Sequence, residues 1–80
     1  MNLYQLQKKL IILIEFEKKI NEMIEKNEKE FIYIESEPFK LIEIREILEN
    51  VMYSNIKIID KNTIEQINKF SEYYINNMKK

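Results

Sequence analysis

A helix-dominated α+β fold is the expectation for this 80-residue chain, and three features carry it. Apolar residues recur at three- and four-residue spacing in three stretches, the pattern of helices with one buried face. Two short runs, at 31–35 and 56–59, are β-branched and aromatic, which favours strands. No repeat, low-complexity tract or linker divides the chain, so residues 1–80 read as a single domain.

The first stretch, 3–29, predicts a long helix. Leu3, Leu6, Leu10, Leu13, Ile20 and Ile24 make its buried stripe, and neither Pro nor Gly interrupts it. Glu15–Lys19, Glu22–Lys26 and Glu25–Lys29 are i,i+4 pairs in the favourable order, each worth roughly 0.2–0.5 kcal/mol. At about 100° per residue, Ile12, Phe16 and Met23 fall on a flank of the stripe, while Tyr4 and Ile11 point nearly the opposite way. Between Leu10 and Phe16 the helix is thus apolar around most of its circumference. A small domain is short of neighbours for such a segment, so a homodimer is expected, with Ile11, Ile12, Phe16 and Met23 at its interface.

Residues 31–35 follow as a strand, ended by Ser36-Glu37-Pro38 because the residue before Pro avoids the α region. A second helix is read over 39–53, with Leu41, Ile44, Ile47, Leu48, Val51 and Met52 on its inner face. Residues 56–59 form the second expected strand. A third helix, 63–78, buries Ile64, Ile67, Phe70, Tyr74, Ile75 and Met78, with a capping box offered by Asn62 and Glu65 or by Thr63 and Gln66. Two strands flanking a helix make a small β-α-β unit with parallel strands. The alternative is an all-α three-helix bundle in which both runs are helical or irregular.

Composition removes several chemistries. The chain has no Cys, His, Gly or Trp. Disulfide scaffolds, thiolate or imidazole metal sites, the Ser-His nucleophile pairing and glycine-rich phosphate loops all go with them. No catalytic residue, cofactor or metal site is expected. Glu43, Glu46 and Glu49 lie three apart, a spacing able to gather oxygens around a hard cation, but a solvated helix face is the ordinary meaning of such a run. Five consecutive apolar residues, Leu10 to Ile14, cannot span a bilayer, and no signal-peptide pattern surrounds them, so the expected location is the bacterial cytoplasm, away from membranes.

Charge points toward contact. The whole chain carries −1, with 13 Lys plus Arg against 14 Asp plus Glu, so a general polyanion binder is disfavoured. Lys8, Lys9, Lys18, Lys19, Lys26, Lys79 and Lys80, with Asn62, Asn68, Asn76 and Asn77, are the groups available to nucleic acid, but glutamates interleave the lysines of the first helix. The middle of the chain is acidic. On the wheel of the second helix, Phe39, Ile42 and Tyr53 share the outward side with Glu43, Glu46 and Glu49, and Tyr73 of the third helix lies off its own stripe. Large apolar groups beside carboxylates suit a basic partner.

These features favour a non-enzymatic protein-interaction module. The excess of Ile, Lys, Asn, Tyr and Phe fits AT-rich coding, as in a low-GC bacterium or its phages and plasmids. A mobile-element inhibitor of a host protein or nucleoprotein complex is therefore expected, a broad class that includes anti-CRISPR and other anti-defence proteins. The alternative is a dimeric DNA-associated regulator or antitoxin working through the third helix and its lysines.

Overall fold

The apolar spacing of the N-terminal stretch does build one uninterrupted helix. The computed structural model describes residues 3–53 and 61–79. Along them run α1 (Leu3–Glu25), β1 (Phe31–Ile34), β2 (Glu37–Lys40), α2 (Leu41–Tyr53) and α3 (Lys61–Asn77). This is a helix-dominated α+β fold, and the all-α alternative fits it less well. The expected strand at 56–59 lies outside the described residues.

α1 stops at Glu25, four residues before the expected end, for a local reason. Asn27 takes φ of 52°, the left-handed conformation that Asn tolerates better than other non-Gly residues. Its amide donates to the Ile24 carbonyl and the Glu28 amide to that of Met23, both at 3.2 Å. This is a Schellman closure, which satisfies the carbonyls left over at a helix end. Glu25 and Lys29 consequently do not form an intrahelical pair.

The strand at β1 pairs locally. Its partner is β2, antiparallel, with Ile34 opposite Glu37, Tyr33 opposite Pro38, Ile32 opposite Phe39 and Phe31 opposite Lys40. A two-stranded antiparallel hairpin therefore takes the place expected for β1 in a parallel β-α-β unit, and Phe39 and Lys40 belong to β2 rather than to the second helix. The first strand does end ahead of Ser36-Glu37-Pro38, but it is the Glu35-Ser36 turn that ends it, and Pro38 is accepted inside β2 because of where it falls. The closing pair of a two-residue hairpin loop is hydrogen-bonded, so Tyr33–Pro38 is a non-bonded pair, where the ladder requires no amide. The Leu41 amide, donating to the Glu30 carbonyl at 3.2 Å, continues the same alternation.

The turn itself is unusual for a chain without glycine. Glu35 and Ser36 both hold positive φ, 53° and 65°, as a type I′ turn demands. A side chain in this conformation costs on the order of 1 kcal/mol. Contacts with α3 hold the tip: the Lys69 ammonium lies 3.9 Å from Glu35 and 3.5 Å from Glu37, and 5.0 Å from the centroid of the Phe39 ring. Ser36→Gly relieves the strain, partly offset by a more flexible unfolded chain, and is expected to stabilise by about 0.5 kcal/mol. A urea titration checks this, and destabilisation would count against the turn assignment.

α1 forms the middle of the molecule, packed against both α2 and α3, which barely meet each other. Leu13, Phe16 and Ile20 of α1, Ile44 and Leu48 of α2, Ile67 and Phe70 of α3, and Ile34 of β1 are all buried in one core. Phe16 is the aromatic centre, with ring centroids of Phe70, Tyr73 and Tyr74 at 6.5, 5.8 and 5.4 Å. This placement corrects the expected dimer interface. Phe16 is 0% and Met23 7% exposed, both taken up by the chain's own core, and Ile12 is half-buried. Two helices on opposite flanks of α1 supply most of the neighbours its apolar section needs. Ile11, 60% exposed, stays on the surface, as does Ile14 at 47%. α3 is already helical at Lys61, so Asn62 and Thr63 lie inside its first turn rather than at its cap.

Candidate functional site

The surface most suited to contact lies on α2. Leu41, Ile44, Leu48 and Val51 are its buried residues. At 100° per residue, Ile42, Glu46, Glu49 and Tyr53 lie opposite them within an arc of roughly 60°. Their spacing of i, i+4, i+7 and i+11 lays them in one stripe roughly 16 Å long. Ile42 and Tyr53 are 55% and 74% exposed at its two ends. Glu46 and Glu49 are exposed between them, and Glu43 borders the stripe. Among the described residues none of these three carboxylates forms a salt bridge.

Glu17 of α1 extends this field. It lies centrally on the helix stripe, where a carboxylate would be unexpected, and is only partly exposed. Loss of solvent, and then the negative charge of Glu49, raise its pKa above the usual glutamate value, while Arg45 lowers it in part. The seam between α1 and α2 thus carries negative charge that the fold leaves incompletely balanced. Because the folded pKa is raised, ionised Glu17 costs stability. The cost is absent below the unfolded-state pKa, grows as pH rises between the two values, and is complete above the folded one. Glu17→Gln is expected to stabilise at neutral pH by less than about 1 kcal/mol, with no gain at about pH 3. Urea midpoints at the two pH values check it; an equal gain at both would mean that charge is not the cause.

Two residues assigned to this surface from sequence lie elsewhere. Phe39 is half-buried in the hairpin, edge-on to Phe70 with centroids 5.8 Å apart. Tyr73 is half-buried on α3 against Phe16, and burial raises its hydroxyl pKa. With α1 between α2 and α3, Tyr73 does not join the α2 stripe. The structure brings together Ile42, Glu43, Glu46, Glu49 and Tyr53 and adds Glu17 beside them.

Several basic groups on and around α3 are engaged within the chain. Lys69 bridges Glu35 and Glu37, Lys79 lies 3.7 Å from Glu15, and the Lys9 ammonium donates to the Asn68 side-chain oxygen. The Asn77 amide donates to the Tyr73 carbonyl at 3.0 Å. On α1, Lys19 lies 3.8 Å from Glu22, and Lys8 sits over the Tyr4 ring at 4.6 Å.

An open cleft of about 500 Å³ separates the hairpin tip from α3, walled by Glu35, Glu65, Lys69 and Glu72 with amide side chains between them. Among the described residues no group of three acidic side chains is arranged to hold a metal ion. No helix among them is long and apolar enough to cross a membrane.

Sequence reasoning missed a second apolar surface, on the outer face of the hairpin. Phe31 and Tyr33 are 43% and 68% exposed there, while Ile32 and Ile34 point into the core. The alternation was present in Phe31-Ile32-Tyr33-Ile34, but without β2 as partner the outward side had no defined surroundings.

Comparison with protein-family models finds no match to this chain. No curated protein and no solved structure matches it either.

Proposed function

We propose that this chain is a small non-enzymatic binding module that docks through the outer face of α2 onto a basic surface of a host protein or nucleoprotein complex and thereby inhibits it. The observation that carries the reading is the α2 stripe, where two exposed apolar anchors bracket carboxylates without salt bridges among the described residues. Apolar anchors supply affinity once water is excluded around them, and an acidic field steers encounter with a basic patch. On a complex that handles nucleic acid, the patch covered in this way is where the phosphate backbone enters, so occupancy blocks the substrate. The AT-rich coding bias fits a gene carried by a phage or another mobile element. Both features support the reading of an anti-defence inhibitor, a broad class in which anti-CRISPR proteins are one example.

The test is affinity capture from cells of the bacterium in which the gene resides, using the wild type and the Ile42→Ser, Tyr53→Ser double variant in parallel. A basic partner retained by the wild type and lost by the correctly folded variant supports the reading. An identical set of captured proteins for both removes α2 from the interface. Capture of bare DNA instead, lost steeply with salt, would favour the regulator.

A further inference from the structure

We infer that the open edge of β1 is a self-association site, at which a second copy of this chain adds its own β1 antiparallel to make a four-stranded sheet.

The hairpin has two edges, and they differ chemically. The hydrogen-bonded pairs within it are Ile34–Glu37, Ile32–Phe39 and, through the 3.2 Å bond from the Leu41 amide, Glu30–Leu41. The alternate residues direct their backbone groups outward: Phe31 and Tyr33 from β1, Pro38 and Lys40 from β2. Pro38 has no amide hydrogen, so the β2 edge is stopped by a common device against strand addition. β1 lacks such a stop. Its outward residues Phe31 and Tyr33 keep 43% and 68% of their surface accessible, and no third strand pairs with β1 among the described residues.

The edge is complementary to itself. Consider β1 pairing about a two-fold axis with Ile32 opposite its own symmetry mate. Phe31 then faces Tyr33 of the second copy, twice, and these are the residues whose amides and carbonyls point outward, so the ladder gains two hydrogen-bonded pairs. Aromatic cross-strand pairs of this kind are favourable in antiparallel sheets. Just beyond the strand ends, the same pairing brings Lys29 of each copy toward the turn residue Glu35 of the other, again twice, so opposite charges lie at both ends of the junction. Both side chains are exposed. Glu35 shares Lys69 with Glu37 within its own chain, so Lys69 keeps a carboxylate whichever way Glu35 turns. A lone two-stranded ribbon is marginal, and four strands ending at two Pro38 edges form a closed assembly. The α2 stripe takes no part in this contact, so the inference stands apart from the docking function.

Sedimentation velocity on the full chain across a concentration series reads the equilibrium directly. The wild type is expected to dimerise. Lys29→Glu and Glu35→Lys each put like charges opposite one another and should raise the dimer Kd about tenfold, and the double swap should restore it to within about threefold of wild type. Tyr33→Pro removes an amide that the hairpin itself does not use and should give a monomer of unchanged helicity. Should that variant fail to fold, amide exchange of the wild type decides the matter: Phe31 and Tyr33 amides are expected to gain protection as concentration rises. A wild type monomeric throughout, or a dimer that ignores the charge swap and leaves those two amides unprotected, would overturn the proposal.

Discussion

Phe16→Ala is expected to cost this protein about 3–5 kcal/mol of stability, a large part of what it has. Phe16 has no exposed surface and is the one residue whose ring meets Phe70, Tyr73 and Tyr74, so it fastens α1 to α3. Truncating a buried Phe to Ala typically costs about 3–5 kcal/mol, the lost transfer energy plus the cavity that remains. A chain of 80 residues has on the order of 4–12 kcal/mol in total. The substitution therefore removes a large share of what is present, and the melting temperature should fall by roughly 15 °C or more. Tyr73 and Tyr74 are only half-buried and cannot close the cavity without drawing their hydroxyls into it. Circular dichroism during urea and thermal unfolding measures the loss. A cost below about 1 kcal/mol would mean that α3 does not depend on this contact.

The second large effect is expected on binding. Ile42→Ser with Tyr53→Ser removes both exposed anchors of the α2 stripe while leaving its buried residues untouched. An apolar anchor that the partner buries costs about 1.4 kcal/mol or more when truncated, so the pair should weaken the partner complex by at least about a hundredfold. Fold stability should change little, because both side chains are more than half exposed in the free chain. The loss should fall mainly on dissociation, since the acidic field of Glu43, Glu46 and Glu49 that steers encounter remains. Calorimetry with the captured partner measures the affinity, and thermal unfolding of the variant alone confirms the intact fold.

The helices were legible in the sequence because their apolar spacing directly reports a buried face. Their ends were less so. Asn27 looks like any polar residue in a helical pattern, and only its left-handed backbone shows that α1 has stopped. The hairpin was half legible. Phe-Ile-Tyr-Ile reads as a strand by chemistry, but its partner contains Pro38, and the turn holds Glu35 and Ser36 where Asn and Gly would be the usual signal. Both obstacles have a physical resolution that depends on tertiary context. Pro38 occupies a pair that needs no amide, and Lys69 on α3 holds the turn.

Position on the outer face of α2 was legible for residues that share one helix and not for the others. Ile42, Glu46, Glu49 and Tyr53 share a true helix, so angular arithmetic put them together. Phe39 falls on that wheel by arithmetic but belongs to a strand, and Tyr73 lies on another helix with α1 between it and α2. Phe16 and Met23 read as dimer residues in the sequence because a helical wheel shows only how wide an apolar arc is. It does not show that α3 covers the second half of that arc. Glu17 sits on the stripe in the sequence, but the meaning of its charge depends on Glu49 and Arg45 across the seam.

The docking role of α2 is tested most directly by amide hydrogen exchange of the chain, free and bound to its captured partner. The expected footprint is increased protection along α2 from Ile42 to Tyr53 and around Glu17, with the exposed face of α3 unchanged. Protection confined to α3, or to the outward face of α1 at Tyr4 and Ile11, with α2 exchanging as in the free chain, would contradict it.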